Sequence, residues 1–123
     1  MAEKVEKVEE LELAVKLQET DKMLRQAWYT AEQNLGALRI DERVEVQVSA
    51  PGAADQLYLA WAKVGTLPWG ICLVRVHEIV HYPQWTGDLI AAMAKHLPHL
   101  RNKMMTAAKA KLDKTKEALK YFQ

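Results

Sequence analysis

The chain has 123 residues, of which 50% are hydrophobic and 27% are charged, a composition typical of one globular domain, here residues 1–123, with a modest core. Seventeen basic side chains oppose sixteen acidic ones, so the overall charge of +1 excludes a strong general attraction to any one class of partner. The single cysteine, Cys72, excludes an intramolecular disulfide and favours a reducing, cytoplasmic location.

The sequence also argues against membrane association. The longest uncharged apolar run, residues 64–74, is too short to span a bilayer. The first ten residues, MAEKVEKVEE, are charged throughout and lack the apolar segment of a signal peptide. We therefore expect no membrane partner.

The first predicted element is a long helix over residues 1–36. Residues 2–35 contain no glycine or proline and are rich in strong helix formers, and Gly36 is a typical helix end. The apolar positions form a heptad-like seam, typical of a coiled coil rather than of a broad core face. Its members are Leu13, Leu17, Leu24, Ala31 and Leu38. A helix of this length, about 50 Å, needs a second long helix beside it.

The middle of the chain, residues 43–82, predicts a three-stranded antiparallel meander. In RVEVQVS, valines alternate with polar residues, as in a half-buried strand. QLYLAWAKV and WGICLVRV follow, separated by the turn-like GTLP, and both are apolar on each face. The central strand is expected at about residues 56–64.

A helical pattern returns over residues 86–123. Thr86 is a good N-cap, and Asp88 in the first turn is favoured by the helix dipole. Pro98 either kinks one long helix or begins a second one. The fold class is therefore α+β: long helix, antiparallel sheet, long helix. This order is similar to the prefoldin architecture, in which two chain-terminal helices form a coiled coil beyond a β core, and the similarity is one of element order alone.

Residues 77–81 read HEIVH, a match to the zinc signature H-E-x-x-H. That signature requires a helix, which places both histidines on one face. Here the segment is β-branched and continues a strand, on which His77 and His81 would lie about 13 Å apart with Glu78 on the opposite face. A zinc hydrolase with His77 and His81 as ligands is therefore the least favoured function. We expect no catalytic residues and no cofactor.

Two further histidines, His96 and His99, flank Leu97-Pro98. If they cluster with His77 and His81, a non-catalytic metal site or a pH-sensitive contact results. Unrelated surface histidines are the alternative.

Four tryptophans are candidates for binding a partner: Trp28, Trp61, Trp69 and Trp85. Aromatic side chains on a sheet can also stack on nucleic-acid bases, but the strands carry only Lys63 and Arg75 as basic neighbours. Packing of the tryptophans between the sheet and the helices is the better explanation.

The charge is unevenly distributed along the chain. Residues 85–123 carry eight basic and three acidic side chains, net +5, whereas residues 1–40 carry six basic and eight acidic ones, net −2. Three roles are open for the basic C-terminal helix. It pairs with the acidic first helix, within or between chains, or it follows a nucleic-acid backbone. The third alternative is a plain solvated face. The nucleic-acid candidates are Arg101, Lys103, Lys109, Lys111, Lys114 and Lys116.

These observations favour a small non-enzymatic protein that self-associates through its long helices. It would be a homo-oligomer that also binds a protein partner, and its role would be regulatory: an adaptor, an inhibitor or a chaperone-like assembly factor. A nucleic-acid-binding regulator that uses the basic C-terminal helix is the alternative.

Overall fold

The computed structural model describes residues 2–49, 52, 56–75 and 78–123, with the side chains of the first helix described from Val8 onward. The architecture is α+β, as the sequence predicts. In chain order the elements are α1 (Ala2–Gly36), β1 (Val44–Gln47), β2 (Tyr58–Ala62), β3 (Gly70–Arg75), β4 (Glu78–His81), α2 (Gly87–Met93) and α3 (Leu97–Leu119). Short 3-10 turns occupy Tyr82–Gln84, Ala94–His96 and Lys120–Phe122.

The sheet has four strands rather than three. They lie in the order β1-β2-β3-β4, and each neighbouring pair is antiparallel. The segment expected to form one continuous third strand reverses direction, so that Arg75 of β3 faces Glu78 of β4. The two positions between them read Val-His, a pair that carries none of the usual hairpin-turn signals.

The two faces of the sheet differ in what they contact. One face packs with the helices into the main core, and its strand residues are Val44, Val46, Leu59, Trp61, Ile71, Leu73 and Val80. The other face carries a smaller cluster of Ala60, Ala62, Cys72 and Val74, bordered by Tyr58, Val64 and Ile79. The alternation of these residues along each strand is the period-two pattern that a two-faced sheet requires.

Buried indole rings connect the helices to the rest of the core. Trp28 of α1 meets Trp85 edge to face with ring centroids 5.3 Å apart, and its Nε1 donates to the Ile90 carbonyl at 3.0 Å. Trp61 of β2 donates to the Ile40 carbonyl at 2.9 Å. Each ring therefore buries a large apolar area while its one polar group stays hydrogen-bonded.

The second helical region is divided where Pro98 predicts it. A 3-10 turn over Ala94–His96 separates α2 from α3, and Pro98 lies in the first turn of α3. Proline is favoured there because its missing N–H has no intrahelical partner at that position. Of the two predicted alternatives, the one in which Pro98 begins a second helix is confirmed.

Helices α2 and α3 follow α1 in the same direction. Near the beginning of the shared path, Trp28 bonds to Ile90. At its end, the Lys111 ammonium donates to the Arg39 carbonyl just beyond α1. Residue numbers therefore increase in the same direction along α1 and along the α2–α3 pair. Between these contacts lies a groove of about 340 Å³ lined by Ala31, Asn34, Leu35, Leu38, Leu97, Arg101 and Met105.

Both long helices extend beyond this shared path. We call residues 8–20 of α1 the α1 stem, and residues 109–123, which comprise the end of α3 and its final 3-10 turn, the α3 stem. Every side chain in the two stems is exposed. Since the helices run in the same direction, the α1 stem leaves one end of the body and the α3 stem leaves the other. Unlike the paired terminal helices of the prefoldin arrangement, these stems do not lie together within one chain.

We predict that Trp28→Phe lowers the free energy of unfolding by about 1–3 kcal/mol, because the buried Ile90 carbonyl loses its donor. Urea unfolding followed by circular dichroism measures this loss. Trp69→Phe is the matched control, since Trp69 is only half-buried. An equal loss in both variants would show that the Ile90 hydrogen bond is not the source of the effect.

Candidate functional site

One carboxylate of α1, that of Glu32, lies at the end of the β3–β4 ladder. The last residue pair of that ladder is Cys72 with His81. The N–H of the next residue, Ile71, donates to Glu32 Oε2 at 2.9 Å. Because the chain leaves the strand after His81, the carboxylate takes the place that a β4 carbonyl would otherwise occupy.

His81 contacts the same oxygen atom. Its Nε2 lies 2.6 Å from Glu32 Oε2, and the two side chains are only 22% and 14% exposed. Nε2 acts as the donor, since an ionised carboxylate only accepts. The Tyr82 ring meets the imidazole edge to face at a centroid distance of 5.1 Å. Glu32, Ile71 and His81 thus join α1, β3 and β4 at one atom, and we call this group the Glu32 junction.

The junction depends on a glycine in the strand beside it. A Cβ atom built on Gly70 would lie 2.7 Å from Glu32 Oε2 and 2.7 Å from His81 Nε2. Atoms of these types do not approach so closely without displacement of one of them. Glycine is therefore the residue that lets helix and strand meet at this distance.

The reactive groups near the junction remain protonated at neutral pH. Burial raises the pKa of the Cys72 thiol to about 11, with the Glu32 charge adding to the effect and Arg43 opposing it. Burial and then the Glu32 charge also raise the pKa of Tyr82. A thiol is nucleophilic as its thiolate, so Cys72 is not activated where it lies. The arrangement of these groups fits a structural contact.

The HEIVH segment forms a strand where it is described. Glu78–His81 is β4, whereas His77 lies outside the described residues. Glu78 and His81 are three residues apart and so point to opposite faces of the strand. In the described part of the chain, no group of three or more His, Cys, Asp or Glu side chains is placed to hold a metal ion.

The histidines divide between two environments. His81 is bonded to Glu32, whereas His96 and His99 lie at the beginning of α3. Burial, followed by the charges of Lys95 and His99, lowers the pKa of His96. His96 thus lies near His99, whereas His81 contacts the carboxylate of Glu32.

Three of the four candidate tryptophans belong to the core. Trp28, Trp61 and Trp85 are each no more than 3% exposed, and each indole N–H donates to a backbone carbonyl. Trp69 is half-buried at the edge of the same cluster. A partner would reach the first three rings only by opening the core, so Trp69 alone offers an accessible ring in the folded chain.

The basic side chains of α3 do not form one stripe. All six candidates are exposed: Arg101, Lys103, Lys109, Lys111, Lys114 and Lys116. At about 100° per residue, Lys109 and Lys116 project to one side of the helix, and Lys103, Lys111 and Lys114 to the other. The ammonium groups of Lys103 and Lys111 are engaged by the carbonyls of Glu45 and Arg39. A phosphate backbone lying along α3 would therefore meet only part of the set.

The stems carry most of the exposed apolar surface. In the α1 stem the large exposed apolar residues are Val8, Leu11, Leu13, Val15 and Leu17, and in the α3 stem they are Leu112, Leu119, Tyr121 and Phe122. Leu17 is 63% exposed and Leu119 is 57% exposed. The α1 seam is predicted by the sequence, but the absence of a neighbour beside its first half, among the described residues, is visible only in the structure.

The chain matches no protein-family model, no curated protein and no solved structure. No helix among the described residues is both long enough and apolar enough to cross a membrane.

We predict that Gly70→Ala lowers the free energy of unfolding by about 1–3 kcal/mol, since the new methyl group displaces Glu32 or His81. Gly36→Ala is the matched control: a Cβ there lies 3.7 Å from the Trp61 ring, an ordinary contact. Urea unfolding of both variants measures the difference. If Gly70→Ala is as stable as the unaltered chain, the close approach at the junction is wrong.

We predict a pH-dependent contribution from Cys72. Its pKa is raised in the folded chain from 9.0 to about 11, so between these pH values the unfolded state loses the thiol proton while the folded state keeps it. The free energy of unfolding from this group therefore falls by about 1.4 kcal/mol per pH unit as the pH rises through that interval.

Cys72→Ala removes this contribution and leaves the other titrations in place. The difference in unfolding free energy between the two chains should be constant from pH 7 to 8 and should change along that slope above pH 9, as measured by urea unfolding at each pH. Parallel profiles over the whole range would contradict the raised pKa.

Proposed function

We propose that the protein is a small non-enzymatic interaction and assembly protein that self-associates through its long helices. One observation carries the proposal: the two stems expose nine large apolar side chains. Exposed large apolar side chains concentrated on projecting helices, with charged residues beside them, are typical of an interface with another protein. The stems are thus the surfaces through which assembly takes place.

The length of the stems supports this proposal. The α1 stem has 13 residues and the α3 stem has 15, and every side chain in both is exposed, although the Lys111 ammonium at the beginning of the α3 stem reaches the Arg39 carbonyl. An isolated helix of about 12–15 residues is only marginally stable in water, because most helical stability in proteins comes from packing of an apolar face. A neighbour that covers the stems would supply the missing packing.

The chemistry of the Glu32 junction supports the non-enzymatic part of the proposal. Its carboxylate already accepts hydrogen bonds from Ile71 and His81. The thiol of Cys72 next to it is buried and protonated. Acid–base catalysis requires a group that can reach a substrate proton, and the junction uses its groups to hold α1 against the sheet.

We predict that Leu17→Glu and Leu119→Glu together convert the assembled protein to monomers. Each substitution replaces an apolar contact with a charge and should raise the dissociation constant by at least about tenfold. Size-exclusion chromatography with light scattering measures the mass, which for the unaltered chain should be a multiple of 14.0 kDa.

Leu67→Glu is the matched control, because Leu67 is an exposed apolar residue that lies outside both stems. It should assemble as the unaltered chain does. Circular dichroism of all three proteins shows whether the body is folded.

An unaltered chain that stays monomeric at about 100 µM would refute self-association. A high ratio of absorbance at 260 nm to that at 280 nm, lost in high salt, would favour the nucleic-acid-binding alternative instead.

A further inference from the structure

The two stems carry opposite charge. The α1 stem, residues 8–20, has four acidic side chains and one basic side chain, net −3. The α3 stem, residues 109–123, has five basic side chains and two acidic ones, net +3. Two identical stems of either kind would repel each other, whereas an α1 stem and an α3 stem attract each other.

Helix α1 continues to Ala2 beyond the α1 stem, so it is long enough to lie beside the whole α3 stem. At a rise of about 1.5 Å per residue, the α1 stem is about 20 Å long and the α3 stem about 22 Å. Each has leucines at helical spacing on one side: Leu13 and Leu17 in the α1 stem, and Leu112 and Leu119 in the α3 stem. Side chains at these spacings share a helix face, which allows the two helices to pack against each other through the leucines.

The α1 stem and the α3 stem of one chain cannot pack against each other. Within one chain they leave opposite ends of the body, because Trp28 bonds to Ile90 near the beginning of the shared path and Arg39 bonds to Lys111 at its end. An α1 stem therefore meets an α3 stem only in a second copy of the chain. A two-fold axis between two copies brings both such pairs together at once and leaves no stem of the dimer without a partner.

We infer that two copies form a reciprocal dimer in which the α1 stem of each packs antiparallel against the α3 stem of the other. This inference rests on the proposed self-association and adds the partner surface and its orientation. In this arrangement the distal end of one stem lies beside the distal end of the other. Glu9, Glu10 and Glu12 then face the end of the α3 stem that carries Lys116 and Lys120.

Charge reversal of one stem at a time tests the pairing. The first variant, Glu9→Lys with Glu10→Lys and Glu12→Lys, changes the α1 stem from −3 to +3. The second variant, Lys114→Glu with Lys116→Glu and Lys120→Glu, changes the α3 stem from +3 to −3. Each variant alone should lose assembly, with a dissociation constant raised on the order of a hundredfold. An equimolar mixture should recover dimers, because both of its stem pairs again have opposite charge.

Light scattering and circular dichroism at low salt measure the outcome, and recovery in the mixture also shows that both variants are folded. If both variants assemble alone as the unaltered chain does, like stems pair with each other, because reversing the charge of two identical stems leaves their mutual repulsion unchanged. Assembly of only one variant alone would also contradict the pairing of an α1 stem with an α3 stem. Either result overturns this inference while self-association stands. If the unaltered chain is monomeric, the proposed function itself is wrong. A mass that keeps growing with concentration would reveal an open chain of copies and overturn the closed dimer.

A disulfide test determines the orientation. Chains with Val8→Cys and chains with Tyr121→Cys are mixed and oxidised, and the cross-linked peptides are identified by their masses. Antiparallel pairing brings these distal positions together, whereas Lys109→Cys, at the proximal end of the α3 stem, is the matched control and should react at least about tenfold more slowly with Val8→Cys. Faster cross-linking to the control position would overturn the antiparallel arrangement. The native Cys72 does not interfere, since it is buried.

Discussion

The position of α1 against the sheet depends on where one carboxylate group lies. Glu32 Oε2 accepts the N–H of Ile71 and contacts His81 Nε2 at the point where β4 ends. The N–H of Ile71, a buried residue, would be costly without an acceptor, and the carboxylate supplies one where the strand cannot. The consequence extends through the molecule: a helix fixed at residue 32 places Trp28 against Ile90, and α2 and α3 follow α1 from there.

Much of the fold follows from local signals in the sequence. Gly36 ends α1, the valines around position 46 alternate as a strand requires, and Pro98 begins α3. In each of these cases the physical cause lies within a few residues of its effect. The strand character of HEIVH was predicted in the same way, from its β-branched residues, and β4 confirms it for Glu78–His81.

Other features have causes that lie far apart in the sequence. The reversal between β3 and β4 is set by pairing across the sheet, and the Val-His sequence between the two strands gives no local sign of it. The contact of Glu32 with His81 joins residues 49 positions apart. One signal was present: Gly70 lies in an otherwise apolar strand, and a glycine in that setting often marks a close approach of other atoms. The direction of α3 relative to α1 has no signature in either helix.

The distribution of the tryptophans has an optical consequence. All four lie between residues 28 and 85, so neither stem contains one. Intrinsic indole fluorescence therefore reports the state of the body and is nearly insensitive to the stems, whose aromatic residues are Tyr121 and Phe122. Dissociation of the proposed dimer and unfolding of the body would thus be followed by different spectroscopic signals. Emission from the unlabelled protein reports the folding of the core and carries almost no signal from the contacts that the stems make.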